Sequence, residues 1–168
     1  MDIADLVEFR AIEELKYRYL RCVDLKEWDE LAGVFTGDAT ASYAGGNLTF
    51  DGRDAILDFL RSALGTQLTS HKCHHPELEL TGPDRATGIW ALEDVVIDPD
   101  AGYTIRGAAY YHDRYRKVGG SWLIEHTGYR RVYEELEMRV PPGEGGASIT
   151  ADWWKTGGRS TLAPRSAG

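Results

Sequence analysis

The chain has 168 residues, 42% of them hydrophobic and 27% charged, which is the composition of one soluble domain able to bury a core without staples. A formal net charge of −8 argues against unaided binding to nucleic acid or to an anionic membrane, because phosphates would repel the surface. No apolar run reaches the roughly 18 residues of a membrane span, no basic-then-apolar leader opens the chain, and Cys22 and Cys73 lie in unrelated contexts. The expectation is a cytoplasmic protein with no membrane segment and no disulfide framework.

Apolar residues at Ile12, Leu15, Tyr19, Cys22 and Val23 recur at helical spacing, with Glu13, Glu14, Arg18 and Arg21 on the other face, and predict a helix over 3–24. A short second helix is expected at about 27–35, ended by Thr36-Gly37-Asp38. Residues 39–43 and 48–50 read as strands around Gly45-Gly46-Asn47, and 55–64 as a third helix with Ile56, Phe59, Leu60 and Ala63 inward. Strands follow over 75–80, 86–97, 103–117 and 121–133, separated by Gly/Pro/Asp turns. Helices followed by long antiparallel strands make an α+β fold, in which a strongly curved sheet wraps the N-terminal helices and leaves a cone-shaped cavity. The domain is expected over 1–136. Residues 137–168, with Pro141-Pro142-Gly143 and Trp153-Trp154, read as a linker and tail, either at an oligomer interface, over the pocket, or disordered.

Tyr19, Asp24 and His71 supply a phenol, a carboxylate and an imidazole, the parts needed to move a proton next to a carbonyl. Each also has a plain reading. Tyr19 fits a core tyrosine, and Asp24 fits an exposed residue at a helix end, although a carboxylate there meets the negative end of the helix dipole. The period of the strand over 86–97 puts Trp90, Leu92, Asp94 and Val96 on one face, so Asp94 is either partnered in an apolar setting or solvated near Asp98. His71, His74 and His75 with Cys73 and Glu77 have metal-ligand types, but their spacing matches no HExxH or finger signature, and no metal is expected. No GxSxG elbow, phosphate loop or dinucleotide fingerprint is present.

The opening helix through Tyr19, Asp24-Leu-Lys-Glu-Trp28, Phe35-Thr-Gly-Asp38, Phe50-Asp-Gly52-Arg-Asp-Ala-Ile56, Ser70-His71 and the closing Tyr115-to-Trp122 pattern together resemble the SnoaL-like branch of the nuclear transport factor 2-like superfamily. Within it the chain is most similar to the dehydratase-like members, which include scytalone dehydratase, bile acid 7α-dehydratase and lindane dehydrochlorinase. The resemblance implies an α+β barrel and a cofactor-independent lyase acting on a small or polycyclic hydroxylated carbonyl compound. In that branch an aspartate closing the first helix orients a histidine base, which implies catalytic roles for Asp24 and His71, with Tyr19 as hydrogen-bond donor. Tyr43, Trp90, Asp94 and Tyr103 are the implied substrate-binding residues. Where the dehydrochlorinase has an arginine on its last strand, the matching position here reads as Thr127. The resemblance further implies a homo-oligomer, dimer or trimer. The alternatives are a ketosteroid-type isomerase and a non-catalytic small-molecule-binding module.

Overall fold

The computed structural model describes residues 2–162. Helix α1 spans Ile3–Leu25 and is opened by a capping box, in which the Asp2 carboxylate accepts from the Asp5 amide and the Asp5 carboxylate accepts from the Asp2 amide. It closes on Lys26 in the left-handed region at φ 61°, a rare conformation for a residue other than glycine. Helix α2 is only Trp28–Ala32, because Phe35 already begins strand β1 (Phe35–Tyr43). The segment expected to break a helix, Thr36-Gly37-Asp38, is therefore the first part of a strand. A 3-10 turn at Ala44–Gly46 leads to β2 (Leu48–Asp51), then to α3 (Arg53–Leu64).

Four long strands complete the fold: β3 (Leu68–Gly82), β4 (Arg85–Asp98), β5 (Tyr103–Val118) and β6 (Ser121–Met138). They join one six-stranded sheet in the order β2-β1-β6-β5-β4-β3, antiparallel throughout except where β1 runs parallel to β6. β3 begins seven residues before the expected 75, so the histidine segment lies within an edge strand and not in a loop before it. Pro76 is accommodated because the ladder with β4 is interrupted between His74 and Glu77, the kind of irregularity and edge position that tolerates a residue without an N–H. β6 runs to Met138, and residues 163–168 of the expected tail lie outside the described residues.

Further register shifts at Phe35/Thr40, Ala108/Ala109 and Arg114/Tyr115 interrupt the ladders around the sheet, as bulges that bend strands do. The concave face holds α1 through Ile12, Leu15, Lys16, Tyr19, Leu20, Cys22 and Val23, and α3 through Ile56, Leu57 and Leu60. Each fully buried aliphatic residue among them contributes about 1.5–3 kcal/mol relative to exposure. The core continues through Trp90, Tyr111, Tyr115 and Ile124, leaving a gap between the helices and one end of the sheet.

Candidate active site

Asp24 sits in the last turn of α1, opposite the start of β3, and three donors converge on it. Thr69 Oγ1 donates to Oδ1 at 2.9 Å, the His71 main-chain N–H donates to Oδ2 at 2.9 Å, and His71 Nδ1 lies 2.6 Å from Oδ1. The carboxylate thus holds both the backbone and the ring of His71. An acceptor at Nδ1 selects the tautomer with the proton there and leaves Nε2 as the basic nitrogen. The arrangement exists because β3 starts early enough to bring Thr69 and His71 alongside the end of α1. Behind it, Lys26 Nζ donates to Thr69 Oγ1 at 2.9 Å. Burial, opposed by the Asp24 charge, lowers the Lys26 pKa from its usual 10.5 to about 8.

His71 forms part of the wall of a cavity of about 120 Å³. Tyr19 from α1, Tyr43 from β1, Phe59 from α3, Tyr111 from β5 and Tyr129 from β6 share the rest with aliphatic residues such as Val23, Leu60, Leu64, Leu92 and Val96. Tyr43 stacks on Phe59 at 5.8 Å between centroids, and Tyr19 meets Tyr111 edge-on at 6.3 Å. Burial, as the largest cause, pushes the pKa values of Tyr19, Tyr43 and Tyr111 well above 10, so all three phenols remain hydrogen-bond donors at neutral pH. The Tyr43 hydroxyl is buried and interacts with the Tyr19 hydroxyl.

Asp94 also faces this cavity, and it is partnered. Its side chain is only 3% exposed and takes a two-pronged ion pair from Arg131, one prong at 3.0 Å. Glu134 lies 2.9 Å from Arg131 Nε, and the guanidinium carbon is 4.9 Å from the Tyr129 ring centre. Gly107 pairs with Asp94 across the β4–β5 ladder and leaves the slot that Arg131 occupies. A Cβ at Gly107 would come within 2.6 Å of Arg131 Nη1. The last strand therefore does bring an arginine to the pocket, at Arg131, four residues beyond Thr127. Thr127 itself is fully buried.

Two of the expected substrate-binding residues stand elsewhere. Trp90 is fully buried below the cavity and donates to the Tyr115 hydroxyl at 2.8 Å, in space that Gly88 opens. Tyr103 lies at the far end of β5, where its hydroxyl accepts from Gln67 at 2.9 Å. His74 is half-exposed, 3.7 Å from Glu93, and His75 is exposed beside it. Residues 149–154 of the tail pack near Leu68, Val95 and Ile97, on the far side of Asp24 from the aromatic cavity.

One buried group has no counterpart in the sequence reading. Lys16 and Asp113 pair at 2.7 Å with both side chains 0% exposed. Asp113 also accepts from Tyr115 at 2.8 Å, and Lys16 Nζ lies 3.5 Å from the Tyr111 ring centre. The pair braces the floor beneath the pocket tyrosines. Its signal in the sequence was position alone: Lys16 lies four residues after Ile12 and one after Leu15, on the buried stripe.

A bent, mostly antiparallel sheet around N-terminal helices is the architecture of the nuclear transport factor 2-like class. The chain belongs to the SnoaL-like domain family, whose model matches residues 4–128. A protein named as a probable cyclase from Gibberella zeae is 25% identical over 138 residues, covering 74% of this chain and 91% of its own length. A scytalone dehydratase-like protein from Novosphingobium aromaticivorans superposes with a TM-score of 0.75 at 27% identity, over 80% of this chain and 91% of that one. A hexachlorocyclohexane dehydrochlorinase, LinA-type3 from Novosphingobium barchaimii, shares the fold at a TM-score of 0.71 and 23% identity, over 84% and 100% of the two chains. No helix among the described residues is long and apolar enough to cross a membrane.

Proposed function

We propose that this protein is a lyase of the dehydratase type, removing water from a small hydroxylated carbonyl compound without a cofactor. The observation that carries the reading is the 2.6 Å contact between Asp24 and His71 Nδ1, with the same ring lining a cavity walled by phenols. His71 Nε2 takes the proton from the carbon next to the carbonyl. The C–H electron pair forms the new double bond as the C–O bond at the adjacent carbon breaks. The imidazolium returns its proton to the departing hydroxide, so one substrate gives one conjugated carbonyl compound and one water. Tyr19, Tyr43 and Tyr111 supply donors for the oxygen on which charge develops, and Arg131 adds a cation at the wall. The names of the relatives, a dehydratase-like protein and a probable cyclase, support small-molecule chemistry at this pocket.

Cavity size narrows the substrate. Pockets for drug-sized ligands run to about 300–1,000 Å³, and a void of about 150 Å³ holds a benzene. At about 120 Å³ the cavity favours an acyclic or small one-ring compound over a fused-ring one. The test is turnover of a panel of one-ring and fused-ring β-hydroxy ketones, followed by conjugated absorbance and by mass. Loss of water that vanishes in His71→Ala, with the fold retained, is the expected result. A product of unchanged mass indicates isomerisation, and ligand-dependent thermal stabilisation without turnover indicates a binding module. Homo-oligomerisation is part of the same reading. Val132, Tyr133, Leu136 and Met138 leave an exposed apolar stretch on β6 that a second copy would cover, which light scattering checks.

A further inference from the structure

The sheet has a second cavity, of about 330 Å³, on its convex side. Tyr111 and Tyr129 point into the aromatic pocket, so their neighbours His112 and Arg130 point outward. Ser42, Gly45, Gly46, His112, His126 and Arg130 line this outer cavity. Arg114 stands directly across the β5–β6 ladder from His126.

The charge here runs against that of the molecule. The chain carries a net −8, and Arg21, Arg85, Arg106, Arg116 and Arg131 each hold a carboxylate. Arg114 and Arg130 have no carboxylate within ion-pair distance among the described residues, although acidic groups outnumber basic ones. His126 is fixed by Thr40 Oγ1, 2.7 Å from Nδ1, while Nε2 lies over Gly128. A Cβ at Gly128 would come within 3.3 Å of that nitrogen and 2.7 Å of the Ser42 carbonyl oxygen, so glycine keeps the floor clear. Burial, followed by the Arg114 charge, holds the His126 pKa below its usual 6.5. An anion in the cavity would relieve the second of these effects.

We propose that this outer cavity binds a phosphate group, as free phosphate or as a small phosphate monoester, held by Arg130, Arg114, His112 and His126. Guanidinium groups present parallel N–H pairs that match two phosphate oxygens, and imidazoles add single donors. The positive φ values of Gly45 (68°) and Gly46 (100°) leave side-chain-free main chain along one rim. The site opens on the opposite face of the sheet from the aromatic pocket, with Tyr129 bordering both, and does not depend on the reaction proposed there.

Calorimetric titration of the full chain with inorganic phosphate, and separately with phenyl phosphate, tests the site against sodium chloride at matched ionic strength. One phosphate per chain is expected. Arg130→Gln and Arg114→Gln should each weaken binding about tenfold or more, the usual worth of a charge-assisted hydrogen bond. His71→Ala should bind as the parent does. Tighter binding of phenyl phosphate identifies an ester site and equal binding a free-anion site, and either supports the proposal. In the parent protein, phosphate should shift the ring resonances of His112 and His126 and leave those of His71 in place, a measurement that needs no variant to fold. The proposal is overturned by binding no stronger than chloride, by parent-like binding in Arg130→Gln, or by shifts at His71. A change of oligomeric mass in Arg130→Gln without phosphate binding in the parent would likewise overturn it, by assigning the face to a second copy.

Discussion

Asp24→Asn isolates the orienting role of the carboxylate because it keeps the side-chain shape and removes one acceptor. Three donors now share two carboxylate oxygens: the Thr69 hydroxyl, the His71 amide and His71 Nδ1. Asparagine offers one oxygen and one NH2, so in either orientation a donor faces a donor. The main-chain N–H cannot change its role, whereas the imidazole can. It relieves the clash by moving its proton to Nε2, which removes the basic nitrogen from the cavity. Loss of a positioned general base costs about 10²–10⁴ in rate, or roughly 2.7–5.4 kcal/mol of barrier at 1.36 kcal/mol per decade. The stability cost is that of one unsatisfied polar contact, about 1–3 kcal/mol, so the variant should fold. The assay pairs turnover of the best panel substrate with ring-nitrogen NMR of His71. The parent should show the proton on Nδ1 and Asp24→Asn the proton on Nε2, with kcat reduced in parallel. Full activity in a folded Asp24→Asn, or a parent ring already protonated only at Nε2, would refute the reasoning.

Lys16→Met leaves Asp113 as a buried charge without its cation and should cost about 3–5 kcal/mol in urea unfolding, while Lys16→Met with Asp113→Leu should recover most of that. Arg131→Met strands Asp94 in the pocket wall in the same way, so Asp94→Asn added to it should restore stability but not turnover if Arg131 serves the reaction, as kcat and thermal melts together will show. The folded Lys26 titrates near 8 and the unfolded one near 10.5, so the unfolded state binds more protons between those values and this residue's contribution makes stability rise with pH. Lys26→Gly removes that contribution and also suits the left-handed backbone at φ 61°. The parent should therefore gain stability relative to Lys26→Gly from pH 8 to 10 in paired denaturant titrations. Gly107→Ala should displace Arg131 from Asp94 and lower both stability and turnover, because the new Cβ would sit 2.6 Å from the guanidinium.

Much of the fold was legible because its signals are local. The spacing of Ile12, Leu15, Tyr19 and Val23 needs only helical geometry to name a buried face, and Gly/Pro/Asp turns mark the strand ends. The alternation that put Asp94 beside Trp90 and Leu92 likewise held, because β4 meets β5 without a shift in that stretch. The boundaries moved where local signals conflict with pairing. Phe35-Thr-Gly-Asp38 reads as a helix end, yet it takes its place alongside β6. Pro76 reads as a strand start, yet it sits inside an edge strand whose ladder skips it. The contact between Asp24 and His71 spans 47 positions and was anticipated through family resemblance, not through spacing.

Local patterning specifies where helices and strands occur, which faces they bury and which chemical types a site can draw on. Which of those types meet depends on how the strands pair around the helices, and β6 shows why. With strict alternation from Trp122 and Ile124, residues 126, 128 and 130 would face the core. Instead Tyr115 pairs with Ile124 and Arg114 with His126, so Glu125 is an extra residue in the ladder and the parity reverses beyond it. Thr127, Tyr129 and Arg131 turn inward, giving Asp94 its cation, while His126 and Arg130 turn outward onto the convex face. A bulge of one residue depends on how two strands close a curved sheet around a helix, and no stretch of β6 read alone carries that information.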